Sequence, residues 1–241
     1  MRDFPCTVLP KNHRQGIPTR VLYLDSETTV VTEGEFQVHY MKLAWTCLCY
    51  YTAEGRLQDQ FWHFWEDSIS LCQYISRIVN HGWTVYLIAH NVFFDLQACG
   101  FFKHMPQYGW KLDFFYDKGL KYILCVSKED RKLKCISSTN FYECSLKELG
   151  AMLKLPKLGI DFQKASKTQL IRYCKRDVEI LKRAMEMYFR FLLDHDLGKF
   201  SLSMPVRQCT LTAIVSCRRK YIYIMRRTYK CLSVKPTMGE E

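Results

Sequence analysis

The chain has 241 residues, 48% hydrophobic and 24% charged, with 11 Gly and 7 Pro. These are values of one generous globular domain, or of one domain with an appendage; they exclude collagen-like repeats and argue against disorder or low complexity as the main content. The net charge is +11, of which residues 201–241 carry +6 through eight Lys/Arg against Glu240 and Glu241, so a polyanion is the expected partner, nucleic acid ahead of an anionic membrane.

Residues 1–18 form a polar arm broken by Pro5, Pro10 and Pro18, without the apolar core of a secretory leader. Residues 20–24 are a short β-rich run ending in Asp25. The aromatic, alternating stretches 37–51 and 57–65, separated by the Glu54-Gly55 turn, predict two further strands of a meander. Over 66–80 the apolar residues Ile69, Cys72, Ile75, Ile78 and Val79 follow a helical period, which His81-Gly82 ends. A buried strand at 85–89 and a helix over 94–103 come next. Residues 122–126 and 133–136 flank a polar 127–131, which predicts a hairpin or a long turn. A helix over 145–155 stops at Pro156, and a long helix covers 168–193. Three strands, a helix, a strand, a helix, a hairpin and then helices predict an α/β fold: a mixed sheet flanked by helices, of the ribonuclease-H-like kind. The expected organisation is the arm 1–18, a folded unit 19–200 and a basic segment 201–241.

Twelve cysteines contain no Cys-x-x-Cys pair and no zinc-finger spacing; the closest pair is Cys47-x-Cys49. Reduced core thiols of an intracellular protein are expected, with cytoplasm, nucleus, organelle or a viral origin left open. No apolar run approaches a membrane span, even 85–95 containing His90 and Asn91, so no membrane partner is expected.

Chemistry is expected from carboxylates. Asp25 and Glu27 stand two apart on a strand and so face the same side. Asp95 follows Asn91 by four residues after the next strand, and Tyr173 and Asp177 share a face of the long helix at a four-residue spacing. Four clustered acids repel, and divalent cations would neutralise them. An all-oxygen donor set suits Mg²⁺ or Mn²⁺. A second Asp-x-Glu, Asp177-Val-Glu179, lies in a helical stretch where its two acids diverge by about 200°. The alternative reading makes Asp25 and Asp95 caps and Tyr173–Asp177 a solvated helix face. It must then explain why Asn-x-x-x-Asp and Tyr-x-x-x-Asp each occur once, in order, in the whole chain.

On these motifs the chain resembles the 3′–5′ exonuclease (proofreading) domain of family B DNA polymerases, in the tyrosine subclass of the DEDD exonucleases. The wording Asp25-Ser-Glu27-Thr28-Thr and His90-Asn91-Val-Phe-Phe94-Asp95 is closest to the protein-primed polymerases of phages, viruses and organellar plasmids. Ser145-Leu146-Lys-Glu-Leu and Lys157-Leu-Gly-Ile160 are similar to two smaller motifs of that subgroup. The resemblance implies two divalent metal ions held by Asp25, Glu27, Asp95 and Asp177. It implies that Tyr173 orients the attacking water and that Lys157 steadies the scissile phosphate or that water. Thr28, Asn91, Phe94, Ser145 and Leu146 would hold a single-stranded DNA 3′ end or the frayed end of primer-template DNA. A terminal priming protein would be a further partner. Over 200–227, Thr210, Arg218, Arg219 and Tyr221 resemble the link toward a polymerase module whose metal-binding motifs this chain lacks; the chain then reads as a free-standing exonuclease or as part of a longer polymerase.

Two rivals stand beside this reading. One is an RNA-trimming exonuclease resembling ribonuclease D; the other is an inactive module that binds single strands or docks on a replisome. The histidine subclass is disfavoured, because Arg172 stands five residues before Asp177. His90 and the cations Lys175, Arg176, Lys182 and Arg183 are expected to be structural or solvated rather than to bind nucleic acid. Phe61, Trp62, Phe64 and Trp65 should divide between a core face and an outer face that packs on a neighbour or meets DNA.

Overall fold

Strands form where β-branched and aromatic residues run without a breaker. They are Arg20–Glu33 (β1), Phe36–Tyr51 (β2), Leu57–Trp65 (β3), Thr84–Ala89 (β4), Lys111–Lys118 (β5), Lys121–Lys128 (β6) and Arg131–Ser137 (β7). The structure, a computed structural model, describes residues 16–195 and 197–203, apart from the side chain of residue 33. Most of the polar arm and most of the basic segment, with Thr210, Arg218, Arg219 and Tyr221, lie outside the described residues.

The seven strands make one sheet in the order β3-β2-β1-β4-β7-β6-β5. The central three, β1, β4 and β7, run parallel, and every other neighbour is antiparallel. Alternation along β1 divides the core. Val21 and Tyr23 face a cluster built with Val178, Leu181 and Met185, while Leu22 and Leu24 face another built with Leu71, Ile75 and Leu96. Each fully buried aliphatic side chain of this kind contributes about 1.5–3 kcal/mol.

The helices are Ser68–Ile78 (α1), Val92–Ala98 (α2), Phe101–Gln107 (α3), Leu146–Met152 (α4) and Lys167–Asp194 (α5). Helix starts follow their caps. Asp67 accepts from the amides of Ile69 and Ser70, and Ser145 with Glu148 and Ser166 with Gln169 form capping boxes. Helices on both faces of a mixed sheet are the ribonuclease-H-like arrangement that the element order predicts.

Three expectations change. β1 does not end at Asp25: Thr28–Thr32 continue it, paired with Met41–Gln37 of β2 past a bulge at Glu27/Thr28. The β-branched run Thr28–Thr32 has the propensity for this, but only the partner strand makes the ribbon. The helix expected over 94–103 is two helices, because Gly100 adopts φ 66° and turns the chain between α2 and α3. β5 was not expected. It is an edge strand with every residue exposed, and Leu112 and Phe115 border an apolar groove of about 380 Å³ against α2 and α3.

The thiols follow expectation: the eight described cysteines are all free, six of them buried. Phe61 is the exposed member of the β3 aromatics, whereas Trp62 and Phe64 pack on Trp45. Among the described residues no helix is long and apolar enough to cross a membrane.

One buried side chain ties the far edge of the sheet together. The Asn140 Oδ1 accepts from the Tyr122 amide (2.9 Å), and its Nδ2 donates to the carbonyls of Tyr122 (3.0 Å) and Leu202 (2.8 Å). Asn140→Ala would leave those buried groups unpaired and should cost about 2–4 kcal/mol. Urea unfolding measures this, and a loss under about 0.5 kcal/mol would contradict it.

Candidate active site

β1 pairs with β4 only through Val21–Tyr23. That ladder ends at Tyr23, and both α2 and α5 pack against β1. Asp25 and Glu27 project from β1 toward α5, where Asp177 lies one turn beyond Tyr173. One carboxylate oxygen from each of Asp25, Glu27 and Asp177 falls within a common 4.8 Å. Residues 25 and 177 thus meet although 152 positions separate them in the chain.

Asp95 belongs to the same neighbourhood but not to that group of three. It sits in the first turn of α2 rather than at a strand end. Its Oδ1 accepts from the Ser26 amide (3.0 Å) and hydroxyl (2.7 Å). Ser26 therefore couples α2 to β1, and the spacing explains how: between two acids facing α5, residue 26 must face the opposite side. No local pattern in the sequence marks Ser26, because its partner lies 69 positions away.

Burial and mutual repulsion dominate the electrostatics. The Asp25 carboxyl is pushed well above the usual range by burial first, then by the charges of Asp95, Asp177 and Glu27. Burial, reinforced by Asp177 and opposed by Lys157 and Lys42, pushes Glu27 up to about 7. Asp95 also rises to about 7 through burial, against the pull of its two Ser26 hydrogen bonds. Burial raises Asp177 too, although the Lys157 ammonium donates to its Oδ2. Burial alone would lower Lys157, but its bonds to Asp177 and Tyr173 hold it above its ordinary value.

Two buried acceptors of the group, Asp25 Oδ2 and Asp177 Oδ1, have no hydrogen-bond partner. Orphaned anionic oxygens are costly unless a cation meets them. Carboxylate donors alone, with no imidazole or thiolate among the three, fit hard divalent ions such as Mg²⁺ or Mn²⁺.

Tyr173 is buried, with the Lys157 Nζ 4.6 Å from its ring centroid and Phe162 edge-on at 5.4 Å. Phe162 is exposed and was not anticipated; it lies in a loop, where no periodicity marks it. Thr28 bonds His39 (3.1 Å), and the His39 ring meets Phe94 at 5.3 Å, so His39 links two of the expected strand-holding residues. Only the pairing of β1 with β2 beyond Glu27 brings His39 to this place. Asn91 is the N-cap residue of α2, yet its exposed side chain makes no cap hydrogen bond. Ser145 and Leu146 have structural work of their own: Ser145 caps α4 and Leu146 is buried in the core.

His90 bonds Ser138 (2.8 Å), and burial, with Lys157 nearby, lowers its pKa to about 4. Among the helix cations, Arg176 pairs with Glu179 and Lys182 with Glu186, while Lys175 lies over Trp45 and Trp62.

Fold and site together define a mixed-sheet α/β protein of ribonuclease-H-like class, with acids from its first strand and its longest helix converging beside the sheet centre. The same fold occurs in phi29 DNA polymerase. Against that enzyme complexed with primer-template DNA and incoming nucleotides, the TM-score is 0.54 at 13% identity, over 84% of this chain and 36% of the polymerase. Against its complex with single-stranded DNA the TM-score is 0.56 at 13% identity, over 80% of this chain and 34% of the polymerase. The chain thus spans about a third of that polymerase's length. No family model and no curated protein matches the sequence.

Proposed function

We propose that this chain is a metal-dependent 3′–5′ exonuclease that removes nucleotides from single-stranded or frayed DNA 3′ ends. It acts as the proofreading part of a protein-primed, family B type DNA polymerase, with a terminal priming protein as a further partner. The carrying observation is the convergence of Asp25, Glu27 and Asp177 within 4.8 Å, with two buried carboxylate oxygens lacking partners. The likeness to a polymerase solved with single-stranded and primer-template DNA supports DNA as the substrate class.

Asp25, Glu27 and Asp177 would hold one divalent ion, and Asp25 with Asp95 a second. Such ions supply Lewis acidity, making water nucleophilic near neutral pH and offsetting charge on a leaving oxygen. The chain's own residues do the rest. Tyr173, held by Lys157, presents a phenol that positions water by hydrogen bonding and is too weakly acidic to exchange protons readily. The Lys157 ammonium, now on Asp177, lies within reach of a phosphate placed against the acids. Ser26 fixes Asp95, and Phe94 with His39 offers a surface on which a frayed base can stack.

The test is Mg²⁺-dependent release of mononucleotides from matched single-stranded DNA and RNA. Release from DNA is expected, and Tyr173→Phe should slow it by about ten- to a hundredfold, because orientation is lost while acids and ions remain. Strong preference for RNA would overturn the DNA assignment. Strand binding without nucleotide release would overturn the hydrolytic one.

A further inference from the structure

We infer that the cleft on the amino-terminal side of Tyr173 is a binding subsite for a nucleoside 5′-monophosphate, the product of the excision proposed above, on which the inference rests. The cleft has a volume of about 330 Å³ and lies between the loop 158–165 and the first turns of α5, with Leu158, Ile160, Lys164, Gln169, Arg172 and Tyr173 in its walls. That volume is at the lower end of small-ligand sites, about 300–1,000 Å³, and suits one nucleotide rather than a strand.

Position comes first. Along α5, Asp177, Tyr173 and Gln169 follow at four-residue spacing, hence on one face, at about 5.4 Å per turn. The cleft therefore continues the line of the carboxylate group, and Tyr173 belongs to both. A nucleotide freed at the acids has this cleft as its neighbour one turn away.

Charge comes second. Lys164 and Arg172 are exposed, and neither side chain makes an ion pair or hydrogen bond among the described residues. Nearby cations on α5 are engaged: Lys167 with Glu66, Arg176 with Glu179 and Lys175 over two tryptophans. Arg183 and Arg190 also lack partners among the described residues, but neither lines this cleft. Asp161, the one acid in the lining, accepts from the Gln163 amide in a local turn (3.1 Å). A phosphate monoester carries about −1.5 to −2 charges near neutral pH, twice the charge of each internal diester, and so matches two unpaired cations. Leu158, Ile160 and the Tyr173 ring offer the apolar surface a base requires.

Titration calorimetry of the full chain with 2′-deoxyadenosine 5′-monophosphate, in EDTA so that no ion bridges ligand and acids, tests this. The double variant Lys164→Ala/Arg172→Ala should bind at least about tenfold more weakly, as should the unsubstituted chain toward deoxyadenosine, which lacks the phosphate. Arg172→Gln alone should lose a smaller part, and circular dichroism should show both variants folded. Binding of a single-stranded oligonucleotide should change by less than about twofold. Undetectable monophosphate binding, equal affinity in wild type and double variant, or an equal loss for the oligonucleotide would each overturn the subsite; the last would place an internal phosphate there. Failure of the excision reading has a different signature: the unsubstituted chain releases no nucleotide in Mg²⁺, whatever its affinity for the monophosphate.

Discussion

Asp25→Asn should lower Mg²⁺-dependent nucleotide release by about 10³-fold or more, roughly 4 kcal/mol of barrier, while raising the thermal stability of the metal-free chain. Both effects have one source. Asp25 is raised by its burial first and then by the charges of Asp95, Asp177 and Glu27, which all act on it. Its Oδ2 has no protein partner. The amide keeps the shape of the side chain but removes a charge that three other carboxylates repel. It removes at the same time an anionic oxygen that a divalent ion would need. Excision assays and a thermal melt in EDTA measure the two halves. Unchanged release would remove the metal-dependent mechanism, and a lower melting temperature would show that the acids are not in electrostatic conflict.

Metal-free stability should fall as pH rises from about 6.5 to about 8, and Mg²⁺ should reverse the fall. Glu27 and Asp95 rise to about 7 in the folded chain, and Asp25 and Asp177 rise as well. The folded state therefore binds protons more tightly than the unfolded one. The stability these groups contribute is fully present below their unfolded values, near pH 4, and is lost as pH climbs through their folded values. His90 has the opposite sign: its folded value is lowered to about 4, so its contribution grows with pH and is complete by about 6.5, the lower edge of the window. Ions bind only the deprotonated acids, so Mg²⁺ at about a hundred times its Kd should add about 2.7 kcal/mol near pH 8 and less near pH 6.5. Melts at both pH values, with and without Mg²⁺, decide this. Equal stabilisation at both, or none, would mean that the carboxylates do not act together on a cation.

Much of this was legible in the chain itself. The aromatic run that became β3 and the helical spacing of Ile69, Cys72, Ile75 and Ile78 that became α1 identified their elements, because residue type and local periodicity need no distant partner. Pairing was not legible in the same way. Thr28–Thr32 carries strand propensity, but its strand exists because β2 extends to meet it. Residues 94–103 read as one helix, and Gly100 in the left-handed conformation divides them. β5 mixes Lys and Asp with Phe and Tyr, and only its hydrogen bonds to β6 make it a strand.

The amino-acid sequence on its own determined which residue types could do chemistry, their order, and the common side of Asp25 and Glu27, because a strand's two-residue period needs no knowledge of the rest of the chain. The tertiary structure alone decided that Asp177 closes on that pair while Asp95 is turned onto Ser26, that Lys157 lies on Asp177, and that Lys164 and Arg172 flank a cleft beside Tyr173. These are distances between segments far apart in the chain, set by how α5 and α2 pack on opposite faces of one sheet, and no local pattern of residues encodes them.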